Sequence, residues 1–104
     1  MNLIQPAVVK RDASGAWSHP GMPMFDEGDA HKYHAWIEQQ GLEVQYDYLD
    51  QDDDAGEAHA ECAECGHFTT WNPAPPKGEG WFMLAIDDTE DGPTVWWARR
   101  PSGA

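Results

Sequence analysis

The stretch "WFMLAIDDTEDGPTVWWARR", residues 81 to 100, leaves the chain few ways to fold. Two runs rich in aromatic and β-branched residues flank an acidic turn with an Asp-Gly step. Pro93 bounds the return run. That is the pattern of an antiparallel hairpin. Its apolar content is the densest in the chain, which predicts a central place in a sheet with Trp81 fully buried. Trp96 and Trp97 are neighbours on the return strand, so their side chains point to opposite faces.

The rest of the chain supplies partners for such a hairpin. Residues 30 to 40, "AHKYHAWIEQQ", space Ala30, Tyr33, Trp36 and Ile37 as one helical face, with Asp29 as N-cap and Gly41 as the residue that ends the helix. The period then switches to two. Leu42, Val44, Tyr46 and Tyr48 share one face of a strand, and Glu43, Gln45 and Asp47 share the other. Leu3, Ile4, Val8 and Val9 read as a further strand over residues 2 to 10, which Pro6 confines to an edge or a bulge. Residues 16 to 28 are expected to form an ordered loop that tucks Trp17, Met22, Met24 and Phe25 under the core. "HFTTW", residues 67 to 71, reads as a short strand, and the proline-rich "NPAPPKGEG" after it as a loop. The expectation is an α+β fold: one domain spanning residues 1 to 104, with an antiparallel sheet of four to five strands and one helix packed on one face.

Charge narrows the function. Nineteen acidic residues against six basic ones give a formal net charge of −13. Charge of that size speaks to partners and solubility rather than to fold. It disfavours direct contact with nucleic acid or an anionic membrane and favours a basic partner. The N-terminal residues lack the apolar core of a signal peptide, and no stretch approaches the length of a membrane span. With two cysteines, Cys62 and Cys65, this suggests a reducing cytoplasm, where a disulfide is not needed.

The middle of the chain, "DQDDDAGEAHAECAECGH" from Asp50 to His67, combines four closely spaced aspartates with two cysteines and two histidines. Asp50, Asp52, Asp54 and Glu61 match positions 1, 3, 5 and 12 of a calcium loop. Ala55 stands where the sharp turn needs glycine, and a strand pattern precedes the segment where an entering helix is needed. Cys62 and Cys65 form a single C-x-x-C, with His59 and His67 beside it. Structural zinc needs four N or S ligands, and no second C-x-x-C is present; His31 and His34, one helical turn apart, are a conceivable second pair. A thioredoxin-like role is weaker still, because Glu61 and Glu64 would raise a neighbouring thiol's pKa. No nucleophile elbow, no H-E-x-x-H and no glycine-rich phosphate loop occurs, so the expectation is a non-enzyme with no required cofactor, zinc being the alternative. Trp36 and Trp81 sit in periodic apolar segments and are expected in the core. Trp71, beside its prolines, reads either as an exposed platform, of the kind typical of contact hot spots, or as a ring covered by its loop.

The segment "WNPAPPKGEGWFMLAIDDTEDGPTVWWARR", together with "PAVVKRD" and "WSHP" nearer the N-terminus, resembles small accessory proteins encoded by tailed phages and prophages of enteric bacteria. The resemblance covers the first twenty residues and about the last third of the chain. It implies a phage origin and, with it, the class of anti-CRISPR and other counter-defence inhibitors acting in the cytoplasm of a bacterial host. It assigns no residue a role. Between Lys32 and Lys77 there is no lysine or arginine, and ten acidic residues intervene. The functional expectation is an acidic, nucleic-acid-mimicking binder that occludes the basic surface of a host protein or nucleoprotein defence complex. Asp47, Asp50, Asp52, Asp53, Asp54, Glu57, Glu61 and Glu64 would make the contact, with Trp71, Trp96 and Trp97 as its aromatic part. The rival is a zinc-binding adaptor held by Cys62 and Cys65 that uses the exposed tryptophans.

Overall fold

The computed structural model describes residues 3–23, 25 and 28–100. Its centre is the hairpin. β3 (Phe82–Thr89) and β4 (Gly92–Arg99) pair from Phe82↔Ala98 to Thr89↔Gly92. Two short elements complete the antiparallel sheet at its edges: β1 (Trp17–Ser18) beside β3, and β2 (Glu43–Tyr48) beside β4, in the order β1-β3-β4-β2. Pro93 lies one residue past the end of β2, whose last pair is Tyr48↔Thr94. A missing N–H therefore costs no ladder bond on that side.

The fold is α+β, with a helix on each face of the sheet. α1 (Ala30–Gln40) ends at Gly41, whose φ of 67° lets its N–H turn back to the Glu38 carbonyl while the Leu42 N–H reaches that of Ile37. Asp29 occupies the N-cap position, but its carboxylate lies 3.5 Å from the Lys32 ammonium instead of bonding the helix backbone. Trp36 and Ile37 pack with Ile4, Phe82, Leu84, Ala98 and the partly buried Trp96 on this face. The other face holds Leu49, Phe68, Trp71, Ile86, Val95 and Trp97 beneath a second helix, α2 (Gly56–Cys65), which contributes Ala58 and Cys62. A bulge between Met83 and Ala85 inserts Leu84 as an extra residue and lets Leu84 and Ala85 face the α1 side together. Because both faces are covered, the hairpin strands are apolar almost without alternation.

Several sequence expectations are corrected. The acidic stretch is not one long loop: after a 3₁₀ turn at Leu49–Gln51, it becomes α2. The signal was the Ala55, Ala58 and Cys62 stripe, spaced at three and four, in an Ala- and Glu-rich segment stopped by Gly66 at φ 76°. Described residues 3 to 10 form no strand. Side chains replace the ladder there: the Ile4 N–H donates to Gln40 Oε1 at 2.9 Å, Arg100 donates to the Ile4 carbonyl at 2.8 Å, and His19 Nε2 meets the Gln5 carbonyl. Gly21 N–H donates to His19 Nδ1, so the Nε2 nitrogen carries the proton. Residues 67 to 71 are likewise no strand. Arg11 donates to the carbonyls of Gly15, Phe68 and Trp71 and so does the work of a neighbouring strand. Residue 2 and Met24, given roles in the strand and loop readings, lie outside the described residues.

Trp81 is half-buried and precedes β3. Its ring stacks under the Arg99 guanidinium at 4.4 Å and its indole N–H donates to the Lys77 carbonyl. Trp36 is also only partly buried against its cluster. The deepest tryptophan is Trp71, at 1 % exposure, so the exposed-platform reading gives way to a core residue. Among the described residues no helix is long and apolar enough to cross a membrane.

Candidate functional site

The topology brings two acidic segments to one end of the sheet. β2 ends beside the start of β4, with Asp47 opposite Val95 and Tyr48 opposite Thr94. The segment that follows β2 therefore starts beside the closed end of the hairpin, where β3 ends with Asp87 and Asp88 and the turn carries Glu90 and Asp91. Asp50 and Asp91 line a common recess with Tyr48 and Gln51. Asp88 faces α2 closely enough to add to the burial that pushes the Cys62 thiol pKa up. From sequence, the turn acids read only as a turn. What joins them to Asp50–Asp54 is the β2–β4 register, which no local pattern reveals.

Arg99 and Arg100 lie at the opposite end of the hairpin. Arg99 pairs with Glu43 at 3.0 Å, and Arg100 donates to the Gln40 carbonyl, the Ile4 carbonyl and Gln40 Oε1. The molecule thus presents one end dense in carboxylates. Asp50, Asp53, Asp54, Asp87, Asp88, Glu90 and Asp91 are exposed there, and Asp47 is half-buried.

Two of the expected contact acids have structural work instead. Asp52 Oδ2 accepts the Trp71 indole N–H at 3.0 Å, its Oδ1 accepts the Asp54 N–H, and its carbonyl meets His59 Nε2 at 2.9 Å. Asp52→Ala would leave a buried indole N–H unpaired, at a cost of about 1–3 kcal/mol. Asp53→Ala, at an exposed position next door, is expected to fall within about 0.5 kcal/mol of the native protein. Urea unfolding of the two variants checks this contrast, and equal effects would contradict the role given to Asp52.

Glu61 clamps the segment that follows α2. Its carboxylate accepts from the Thr69 hydroxyl, the Thr70 N–H at 2.9 Å and the Thr70 hydroxyl at 2.9 Å. The Thr69 hydroxyl bond is the largest of the interactions that favour the anion and take its pKa from 4.5 down to about 2. A lowered carboxylate pKa adds stability that is complete above the unfolded value of 4.5 and is lost as pH falls through about 2. In an acid titration of stability, Glu61→Gln is therefore expected to have a shallower limb across that window than the native protein. Parallel limbs would remove the clamp. Glu57 and Glu64 are exposed on α2, away from such bonds.

The tryptophan surface shrinks in the same way. Of the three expected contact tryptophans, Trp71 and Trp97 are buried, at 1 % and 7 % exposure, and Trp96 is half-open, edge-on to Tyr46 at 6.0 Å. Trp97 Nε1 is a buried donor without a partner among the described residues.

The metal readings meet the same test of placement. Cys62 and Cys65 are free thiols on α2, and Cys65 donates to the Glu61 carbonyl. His31 and His34 lie on α1, across the sheet from α2, so they cannot complete a site with those thiols. Among the described residues no group of three or more His, Cys, Asp or Glu side chains is arranged to hold a metal ion. The calcium-loop ligands Asp52 and Glu61 are bonded elsewhere, and the strand β2, not a helix, enters the segment.

No known protein family, curated protein or solved structure matches the chain.

Proposed function

We propose that the chain is a non-enzymatic binding protein whose carboxylate-dense end occupies a basic protein surface shaped for nucleic acid. The supporting observation is that Asp50 meets Asp91 of the hairpin turn in one recess, with Asp53 and Asp54 in the neighbouring recess beside Asp47, while Arg99 and Arg100 are engaged at the other end of the hairpin. Carboxylates spread over one end can meet a groove that normally holds phosphates, and the resulting field speeds encounter with a basic partner. Set beside the resemblance to phage accessory proteins, the reading is an inhibitor of a host nucleic-acid-directed defence complex. Its contact acids are Asp47, Asp50, Asp53, Asp54, Asp87, Asp88, Glu90 and Asp91, with Glu57 at the margin. Asp52 and Glu61 support the surface from below. The test is neutralisation of the free carboxylates, with the association rate and its salt dependence as the readout.

The zinc-adaptor reading rests on Cys62 and Cys65 alone, and no second observation favours it.

A further inference from the structure

On the α1 side of the sheet, a groove of about 660 Å³ opens between α1, β1 and the start of the hairpin turn. Its size lies in the range of ligand-binding clefts, about 300–1,000 Å³. Phe25, Tyr33 and Trp96 line it, each half-buried, and Ala85 leaves room at its floor. The bulge at Leu84 is what brings the small Ala85 onto this face, directly opposite Trp96. Two carboxylates also line the groove, Asp12 and Asp87, and no lysine or arginine does so among the described residues. Asp87 pairs with Thr94, whose neighbour Val95 packs on the far face, so Asp87 projects to the groove side. Its Oδ1 accepts only the adjacent Asp88 N–H among the bonds resolved for it. Asp12 is held rigidly, with Oδ1 accepting from the N–H groups of Ser14, Gly15 and Ala16 and from the Ser14 hydroxyl.

Aromatic walls and anionic rims together select a cation with a flat, weakly hydrated face. We infer that the groove is a docking site for an arginine side chain of a basic partner polypeptide, whose guanidinium stacks on the aromatic wall and pairs with Asp87. Arginine fits better than lysine because its plane stacks on rings and its fork matches a carboxylate. A lysine ammonium is compact and strongly hydrated, and it gains less from the same walls. The inference rests on the partner being basic. It deepens that reading by adding a specific anchor beside the acidic end, where charge alone gives little specificity.

The probe is a short acetylated and amidated peptide, Gly-Arg-Gly, titrated into the full chain and followed by the indole N–H resonances in NMR. Saturable shifts confined to Trp96 and its surroundings are expected. The citrulline counterpart, the same size without charge, should bind at least about tenfold more weakly, and the lysine counterpart should fall between. Asp87→Asn should weaken the arginine peptide about tenfold, whereas Glu64→Gln, an exposed acid on the other face, should leave it unchanged. Cooperative unfolding of Asp87→Asn, identical to that of the native protein, certifies that the fold is retained. Equal binding of arginine and citrulline peptides, equal effects of the two substitutions, or no shift at Trp96 in the native protein would each overturn the assignment. The titration uses no defence complex, so a negative result removes the groove and leaves the acidic end standing. Failure of the acidic end's own salt test would likewise leave a positive peptide titration intact.

Discussion

Replacing Trp71 with alanine should cost about 3–5 kcal/mol, the range for deleting a fully buried large aromatic side chain. The ring is 1 % exposed in the cluster with Leu49, Phe68, Ile86, Val95 and Trp97, and its indole N–H is anchored on Asp52. Small domains have only about 5–15 kcal/mol in hand, so this one change should bring the protein close to unfolding at ambient temperature. At roughly 4–8 °C per kcal/mol for a domain near this size, Tm should fall by more than about 12 °C. The anchor makes a second expectation. Adding Asp52→Ala to Trp71→Ala should cost little more, because the donor that Asp52 satisfies is already gone. Denaturant unfolding of the two single variants and the double variant measures both. A cost below about 1 kcal/mol for Trp71→Ala would mean that the ring is not in the core.

The second large effect concerns binding. Changing Asp50, Asp53 and Asp54 together to Asn removes three charges from the acidic end and preserves side-chain size. These positions are exposed, so stability should stay within about 0.5 kcal/mol of the native protein. Asp52 is left in place because its loss would unseat Trp71 and confuse binding with folding. Electrostatic steering raises on-rates by about 10- to 10³-fold and is screened as the Debye length contracts to about 8 Å at physiological salt. The triple variant should therefore associate with a basic target at least about tenfold more slowly in low salt. Its salt dependence should be correspondingly flatter, while dissociation changes less. Stopped-flow or interferometric rates across a salt series resolve these terms. Identical slopes for variant and native protein would show that these carboxylates do not meet the partner.

What the sequence disclosed followed from periodicity. The hairpin, α1 with its Gly41 stop and the period-two strand β2 all carry strong local patterns, and each forms where the pattern predicts it. α2 escaped because the stripe it packs on the core is the buried Ala58 and the partly buried Cys62, with Ala55 at its N-cap, small residues that weigh little beside the surrounding acids. The segments at 3–10 and 67–71 look like strands but are held by Gln40, Arg100, His19 and Arg11. Most of their partners are side chains distant in sequence, with the Ser14 carbonyl accepting from the Phe68 N–H, and no local pattern encodes them. Trp71 was misplaced for a related reason: its proline-rich neighbours signal a loop, and only the Asp52 and Arg11 contacts reveal that the loop folds inward. Of the acidic surface, the Asp50–Asp54 part was legible as composition. The contribution of Asp87, Asp88, Glu90 and Asp91 depends on the β2–β4 register and becomes visible only in three dimensions.

On the proposed function, the acidic end competes with nucleic acid for a basic groove. The most direct measurement is binding of the purified chain to an RNA-guided defence complex, recorded before and after that complex is saturated with its target DNA. Tight, salt-sensitive binding to the free complex is expected, abolished by bound target and markedly reduced for the Asp50, Asp53 and Asp54 triple variant. Binding that persists unchanged on the DNA-saturated complex, or that is the same for the triple variant, would contradict it.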